Sequence, residues 1–261
     1  KNYFLGCKFF LCYNCILFDY FNNLMDAGDN IKTNISSWDF GGDTANSFDE
    51  HISKSVPGYE IGQSLISSYA DFFVNLTPNN IYDIGCSTGS LLEKIESRHY
   101  QKNINYYGID IIPEMINVAK NRKYKNPESF NFECADVLNI NLKNASIITS
   151  YYTLQFILPS RRQELVNKIY KSLSWGGAFF VFEKTRGFDA RFQDLNTHVY
   201  NEYKIKEGYK PEEIFAKSRS LAGVLEPFSD RGNKEMFERA GFKDIEYIFT
   251  NICFKGWICI K

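Results

Sequence analysis

A chain of 261 residues is long enough to bury a substantial core and suits one large domain with an appended lid. Thirty basic residues against thirty-one acidic ones leave a net charge of -1, which excludes a bulk field drawing in nucleic acid or an anionic membrane. Apolar residues at 44% and charged residues at 23% exclude a disordered chain. The aromatic share of 16% is high, and beside abundant Asn, Ile and Lys it fits the codon bias of AT-rich DNA.

Lys1 to Phe18 is an apolar, aromatic run that is too short and too polar for a transmembrane helix. The first methionine is Met25, a natural start near it is expected, and residues 1–37 are read as an N-terminal extension without a function. Cys12-x-x-Cys15 has no second pair and no nearby His, so no metal site is assigned. The seven cysteines are scattered, as in a reduced, cytoplasmic protein.

From Trp38 the pattern becomes regular. Asp43 can cap a helix carrying Ala45, Phe48 and Ile52 on one face. The loop Ser55-Val56-Pro57-Gly58-Tyr59 precedes an amphipathic helix over about 60–76, its apolar face built from Ile61, Leu65, Ile66, Tyr69, Phe72, Phe73 and Leu76. Short apolar strands then alternate with helices: strands at 81–84, 106–110, 130–134, 146–151 and 178–182, helices at 90–97, after Pro113 and over 159–173. The fifth strand is expected to follow a Gly176-Gly177 turn. Such alternation implies right-handed crossovers and a parallel sheet covered on both faces. A Tyr-rich stretch over 188–225 reads as a helical lid. A helix closed by Gly241 and two antiparallel strands end the chain. The fold expected is α/β, a Rossmann-like seven-stranded, mostly parallel sheet with helices on both faces and an antiparallel C-terminal strand pair, the domain spanning 38–261.

The loop Asp83-Ile84-Gly85-Cys86-Ser87-Thr88-Gly89 leaves a strand and opens a helix. Gly85 permits close backbone approach to a ligand, and Gly89 permits tight packing of the helix. A pyrophosphate site would need G-x-G-x-x-G. A single early glycine with Asp83 two residues before it suits a cofactor without phosphate that carries an ammonium and a sulfonium. Asp110, at the end of the second strand, can accept both hydroxyls of a ribose. Asp136, just past the third strand, can accept from an adenine amino group.

These residues make the chain resemble class I S-adenosylmethionine-dependent methyltransferases. Within them it is similar to the carboxy-S-adenosylmethionine synthase subfamily, on the stretches Val56-Pro57-Gly58-Tyr59, Asp83-x-Gly85-Cys86-Ser87, Thr153-Leu154-Gln155-Phe156, Lys168-Ile169-Tyr170, Glu183-Lys184 and Gly208-Tyr209. The resemblance implies cofactor contacts at Tyr59, at Gly85, Cys86 and Ser87, at Asp110 with Ile111, and at Asp136 with Val137; it also implies a homodimer. Two positions depart from the subfamily. Tyr151 stands where the synthase has Asn, and Ser218 stands where it has an Arg for the added carboxylate of its modified cofactor, with Arg219 one residue later. A one-residue shift on a helix turns a side chain by about 100°.

Methyl transfer is an in-line displacement that asks for alignment and exclusion of water rather than a metal. Among three histidines, His99 reads as a surface residue and His198, in the lid, is the candidate base. Tyr151 and Tyr152, ending the fourth strand, are placed to orient an acceptor or meet a sulfonium. Lys184 and Arg186 are candidates for binding an acidic acceptor. The reading is a methyltransferase acting on a small, acidic molecule, with Tyr151, His198 and Arg219 as candidate catalytic groups and no direct contact with nucleic acid or membrane. Its alternative is synthesis of carboxy-S-adenosylmethionine from the cofactor and prephenate, serving tRNA wobble-uridine modification.

Overall fold

The computed structural model describes residues 24–29, 31–42 and 44–261; the Asp43 cap and the Cys12/Cys15 pair lie outside them. The chain forms two compact units. The smaller joins the segment up to Asp39 with Gly208–Leu225. In it, β1 (Met25–Asp26) pairs antiparallel with β2 (Lys32–Thr33). The larger unit, Phe40–Glu207 with Glu226–Lys261, carries the sheet.

Helices α1 (Thr44–Ser55) and α2 (Tyr59–Tyr69) lead into the larger unit. Strand β3 (Asn80–Ile84), α3 (Ser90–His99), β4 (Asn105–Asp110), α4 (Pro113–Asn121), β5 (Phe130–Cys134), β6 (Ala145–Tyr151), α5 (Pro159–Ser172) and β7 (Leu173–Lys184) follow. Then come α6 (Ala190–Lys206), α7 (Pro211–Leu221) of the smaller unit, α8 (Asp230–Ala240), β8 (Asp244–Asn251) and β9 (Phe254–Ile260). The sheet has the expected seven strands in the order β5-β4-β3-β6-β7-β9-β8. Pairings from β5 across to β7 are parallel, and β9 with β8 forms the antiparallel edge.

Strand β7 explains why the sheet has two buried faces. Phe180 and Phe182 face a core with Ile66, Leu92 and Ile95, while Phe179 and Val181 face another with Leu165, Ile169, Phe237 and Trp257. A period of two in a continuously apolar strand sends alternate residues to opposite sides. Much of the aromatic excess is absorbed there.

Three expectations are corrected. Helix α2 ends at Tyr69 and passes through a short 3-10 turn at Ala70–Phe72. Its buried face is Tyr59, Gly62, Gln63, Ile66 and Ser67, whereas Ile61 and Phe72 are exposed. Small residues here let the helix sit close to the sheet beside Ile66, which is buried as expected together with Phe73. Gly176-Gly177 does not precede β7 but lies within it: Ala145 pairs with Leu173 and Ile147 with Ala178, so the pair sits in a register irregularity. His99 is buried, not on the surface. Its Nδ1 lies 2.8 Å from the Ile95 carbonyl and its Nε2 2.7 Å from Asp71, acceptors supplied by the helix's own last turn and by the 3-10 turn that follows α2.

The segment 188–225, expected as one lid, is divided between the units: α6 belongs to the larger and α7 to the smaller. In the smaller unit Tyr209 donates to Asp29 at 2.8 Å, and its ring covers Gly28, whose φ of 91° needs a residue without Cβ.

Candidate cofactor site

Parallel strands place their carboxyl ends along one rim of the sheet, and the chain order reverses between β3 and β6, the place where such sheets open a crevice. The candidate residues converge on that rim. Asp83 ends β3 beside Gly108 of β4 and Thr149 of β6. Asp83 is 2% exposed, and burial pushes its carboxyl up to about 7 against the lowering effect of the Thr149 hydroxyl, which donates to it at 2.6 Å.

The loop after β3 is held in shape by its neighbour. Backbone N–H groups of Gly85 and Cys86 both donate to the Ile109 carbonyl of β4, at 2.7 and 3.1 Å. Gly85 has φ 69°, and a Cβ there would collide with the Thr153 side chain. Ser87 also takes a positive φ, 47°, strained for a residue with a side chain. Gly89 ends the loop at φ 78° and precedes α3. Cys86 is buried, and its thiol is pushed far up by that burial, so it packs rather than reacts.

Asp110, at the end of β4, uses both carboxylate oxygens: Oδ2 accepts from Ser87 N–H and Oδ1 from Ile112 N–H, each at 2.9 Å. Burial raises its carboxyl against those two hydrogen bonds. The next residue, Ile111, is 64% exposed, an apolar side chain left uncovered beside a buried acid. Asp136 caps the 3-10 turn after β5 by accepting from Leu138 N–H at 2.9 Å, and Val137 behind it is buried.

Tyr59, Tyr151 and Tyr152 form one aromatic cluster, with ring centroids 4.9, 6.1 and 4.7 Å apart. The Tyr151 hydroxyl donates to the Tyr59 carbonyl, and burial carries its phenol well above the usual range, so it stays protonated. Tyr152 is held at φ 63° with its hydroxyl buried and unpartnered among the described residues.

Within the larger unit, His198 and Arg186 show no contact with this cluster among the described residues. His198 is exposed on α6. Arg186 is exposed and donates to the Pro227 carbonyl at 3.0 Å. Arg219 belongs to the smaller unit, with its guanidinium 5.6 Å from the Phe215 ring centroid, and Ser218 is exposed there. Sequence reasoning missed Thr149, which steadies Asp83, and named Thr153 only as part of a motif, without its place against Gly85. It also missed Arg162, 2% exposed, which donates to the carbonyls of Gln155, Ile157 and Glu226 at 3.0, 2.8 and 2.7 Å. No spacing rule marks those residues; only the sheet register brings Thr149 beside Asp83.

The donor set at the rim is acidic, with raised carboxyls at Asp83 and Asp110 and an uncovered apolar side chain at Ile111; the cation that touches the loop, Arg122 at Thr88, is paired with Asp49 and Glu93. Such a lining would repel a pyrophosphate and fits a cofactor bearing an ammonium, a ribose and an adenine. Fold and rim together define the class: an S-adenosylmethionine-dependent methyltransferase. Residues 81–177 match the family model described as a methyltransferase domain. The structure is similar to the plantazolicin methyltransferase BpumL solved with SAH, with a TM-score of 0.59 at 17% identity, covering 83% of this chain and 88% of that one. It is also similar to human N-acetylserotonin methyltransferase solved with SAM, with a TM-score of 0.54 at 19% identity over 77% of this chain and 51% of that one.

Among sequence relatives, the carboxy-S-adenosyl-L-methionine synthase of Staphylococcus epidermidis is 39% identical over 86% of this chain and 97% of its own length. That of Campylobacter fetus is 36% identical over 82% and 90%. The chain belongs to the carboxy-S-adenosyl-L-methionine synthase family of S-adenosylmethionine-dependent methyltransferases. It is an enzyme, and its cofactor is S-adenosylmethionine.

Proposed function

We propose that the protein transfers the methyl group of S-adenosylmethionine to a small acidic acceptor. The observation that carries this reading is the state of the two departures from the synthase pattern. Tyr151 fills the place of an Asn and spends its hydroxyl on the Tyr59 carbonyl, and Ser218, at the place of the carboxylate-binding Arg, is exposed. A carboxylated cofactor needs a fixed cation, because a buried, unpaired carboxylate is costly. The bound cofactor supplies an electrophilic methyl group on a sulfonium. The chain's own part is to hold it: Asp83 toward its ammonium, Asp110 toward the ribose, Ile111, Asp136 and Val137 around the adenine, Tyr59 and Tyr151 beside the reacting end.

A second reading, synthesis of the carboxylated cofactor, is favoured by kinship, since the relatives matched over nearly their full length carry that name. The near-neutral charge supports a small acceptor over direct contact with tRNA. We further propose a cytoplasmic homodimer; the exposed Phe192, Leu195 and Val199 along α6 support an apolar contact surface. Among the described residues no helix is long and apolar enough to cross a membrane.

Mass spectrometry of the nucleoside that co-purifies with the protein decides between the two reactions. Unmodified cofactor or its demethylated product is expected; a ligand heavier by one carboxyl group overturns methyl transfer in favour of the synthase reaction.

A further inference from the structure

We propose that Lys184 and Lys204 form a subsite for a carboxylate group of the acceptor, with the Tyr152 hydroxyl in the same cluster. Lys184 ends β7, at the rim of the sheet, and Lys204 lies near the end of α6. Both ammonium groups lie against one ring: Lys184 Nζ is 4.6 Å and Lys204 Nζ 4.4 Å from the centroid of Tyr200. The Phe254 ring adjoins Tyr200 at 5.2 Å, Tyr152 at 5.8 Å and Lys184 Nζ at 6.0 Å. Lys204 is 7% exposed and Tyr152 6%.

What the cluster lacks is negative charge. Among the described residues neither ammonium has a carboxylate within ion-pair distance or a hydrogen-bond acceptor. The nearby titratable groups do not supply one. Burial raises the Cys253 thiol despite both lysines, so it stays neutral. The Tyr200 hydroxyl donates to the Ser55 carbonyl at 2.7 Å. Glu183 is buried on the other side of β7, where it accepts from Leu154 N–H at 3.0 Å, and burial drives its carboxyl well up. Tyr152 is raised far above the usual phenol range. Burial lowers Lys204 to about 8, with the neighbouring Lys184 adding to the effect, and burial lowers Lys184 as well.

Two like charges drawn out of water and toward each other are unfavourable, and an aromatic face offsets only part of that. An anion settles both at once. A carboxylate accepts several hydrogen bonds, and two ammonium groups with an unpartnered phenol nearby are donors without acceptors. Tyr152 immediately follows β6, while the acids assigned to the cofactor end β3 and β4. The cationic subsite therefore lies on the acceptor's side of the chain reversal. Its identity as an acceptor subsite rests on the functional reading above; its affinity for a carboxylate does not.

The test uses phenylacetate as probe on the full chain, with and without S-adenosylhomocysteine. Acylation of Lys204 by acetic anhydride, followed by peptide mass spectrometry, is expected to be suppressed by phenylacetate. Calorimetry is expected to show phenylacetate binding weakened about tenfold by Lys204→Gln and by Lys184→Gln, and largely kept by Lys204→Arg. S-adenosylhomocysteine affinity, expected to be unchanged in all three, certifies that the variants are folded. Unaltered Lys204 acylation in saturating phenylacetate, or equal phenylacetate affinity in a folded Lys204→Gln, overturns the subsite. A protein that shields Lys204 but carries a carboxylated nucleoside keeps the subsite and loses methyl transfer.

Discussion

The hydroxyl of Thr149 donates to the buried carboxyl group of Asp83 at 2.6 Å, across adjacent strands that set the two residues side by side. This contact keeps an acid at the rim of the sheet that burial alone would leave mostly protonated. With its carboxyl pushed up to about 7, Asp83 makes both stability and cofactor affinity depend on pH.

The signs are opposite. A carboxyl whose folded value is raised binds more protons in the folded protein, so its contribution to stability is fully present below the ordinary value of 3.8 and is lost as pH rises through about 7. A cofactor ammonium beside Asp83 favours the ionised form. S-adenosylhomocysteine should therefore bind more tightly as pH rises through the same interval. Calorimetry across that interval should show the trend, and Asp83→Asn should flatten it. A slope that survives the substitution assigns the proton to another group.

Asp110 supports the loop and the ligand with the same two oxygens, through Ser87 N–H and Ile112 N–H. Asp110→Ala orphans both donors and removes the proposed ribose acceptor. S-adenosylhomocysteine binding should weaken by about 1–3 kcal/mol. Unchanged affinity by calorimetry would remove Asp110 from the site.

Gly62 on α2 makes room for the Tyr151 phenol, which a Cβ would strike along with Phe182. Gly62→Ala should destabilise the protein by about 1–3 kcal/mol through overpacking. Tyr151→Phe should lose about 1 kcal/mol with its hydrogen bond to Tyr59. Because one oxygen is involved in both, urea unfolding of the double variant should show less than the sum. Strict additivity would mean the helix shifts bodily instead.

Arg162 stabilises the turn after β6 through three carbonyls and lowers the carboxyl of Glu183, which burial still drives well up. Arg162→Ala should cost about 3–5 kcal/mol, the usual penalty for breaking a buried charged network. Glu183→Gln in the same chain should leave most of that loss in place in urea unfolding, because burial already holds the Glu183 carboxyl protonated. Substantial recovery would show an ionised Glu183 that depends on Arg162.

The strands β3 to β6 were legible to within a residue because each is a short apolar run bounded by turn residues. The loop from Asp83 to Gly89 was legible because its glycines and acid sit at spacings that chemistry restricts. Helix α2 was legible only in part: Ile66 is buried as its spacing implied, but Gly62, Gln63 and Ser67 share the buried side, where closeness of approach counts beside apolarity. His99 was misplaced for a related reason: a polar ring can be buried once acceptors from two elements meet it. Lys184 could be suspected from its place at a strand end, but Lys204, twenty residues on in a charged helix, carried no mark.

Composition, alternation of strand and helix, and the acid-glycine loop determined the fold class and the kind of cofactor by sequence alone. Those properties follow from local rules: the period of a strand, the freedom of glycine, the reach of a carboxylate. Only the tertiary structure decided which acids are buried and raised, which tyrosine is spent on a backbone carbonyl, and which lysines meet over one ring. These depend on desolvation and on register between strands, which arise when distant segments pack and are written in no single stretch of the chain.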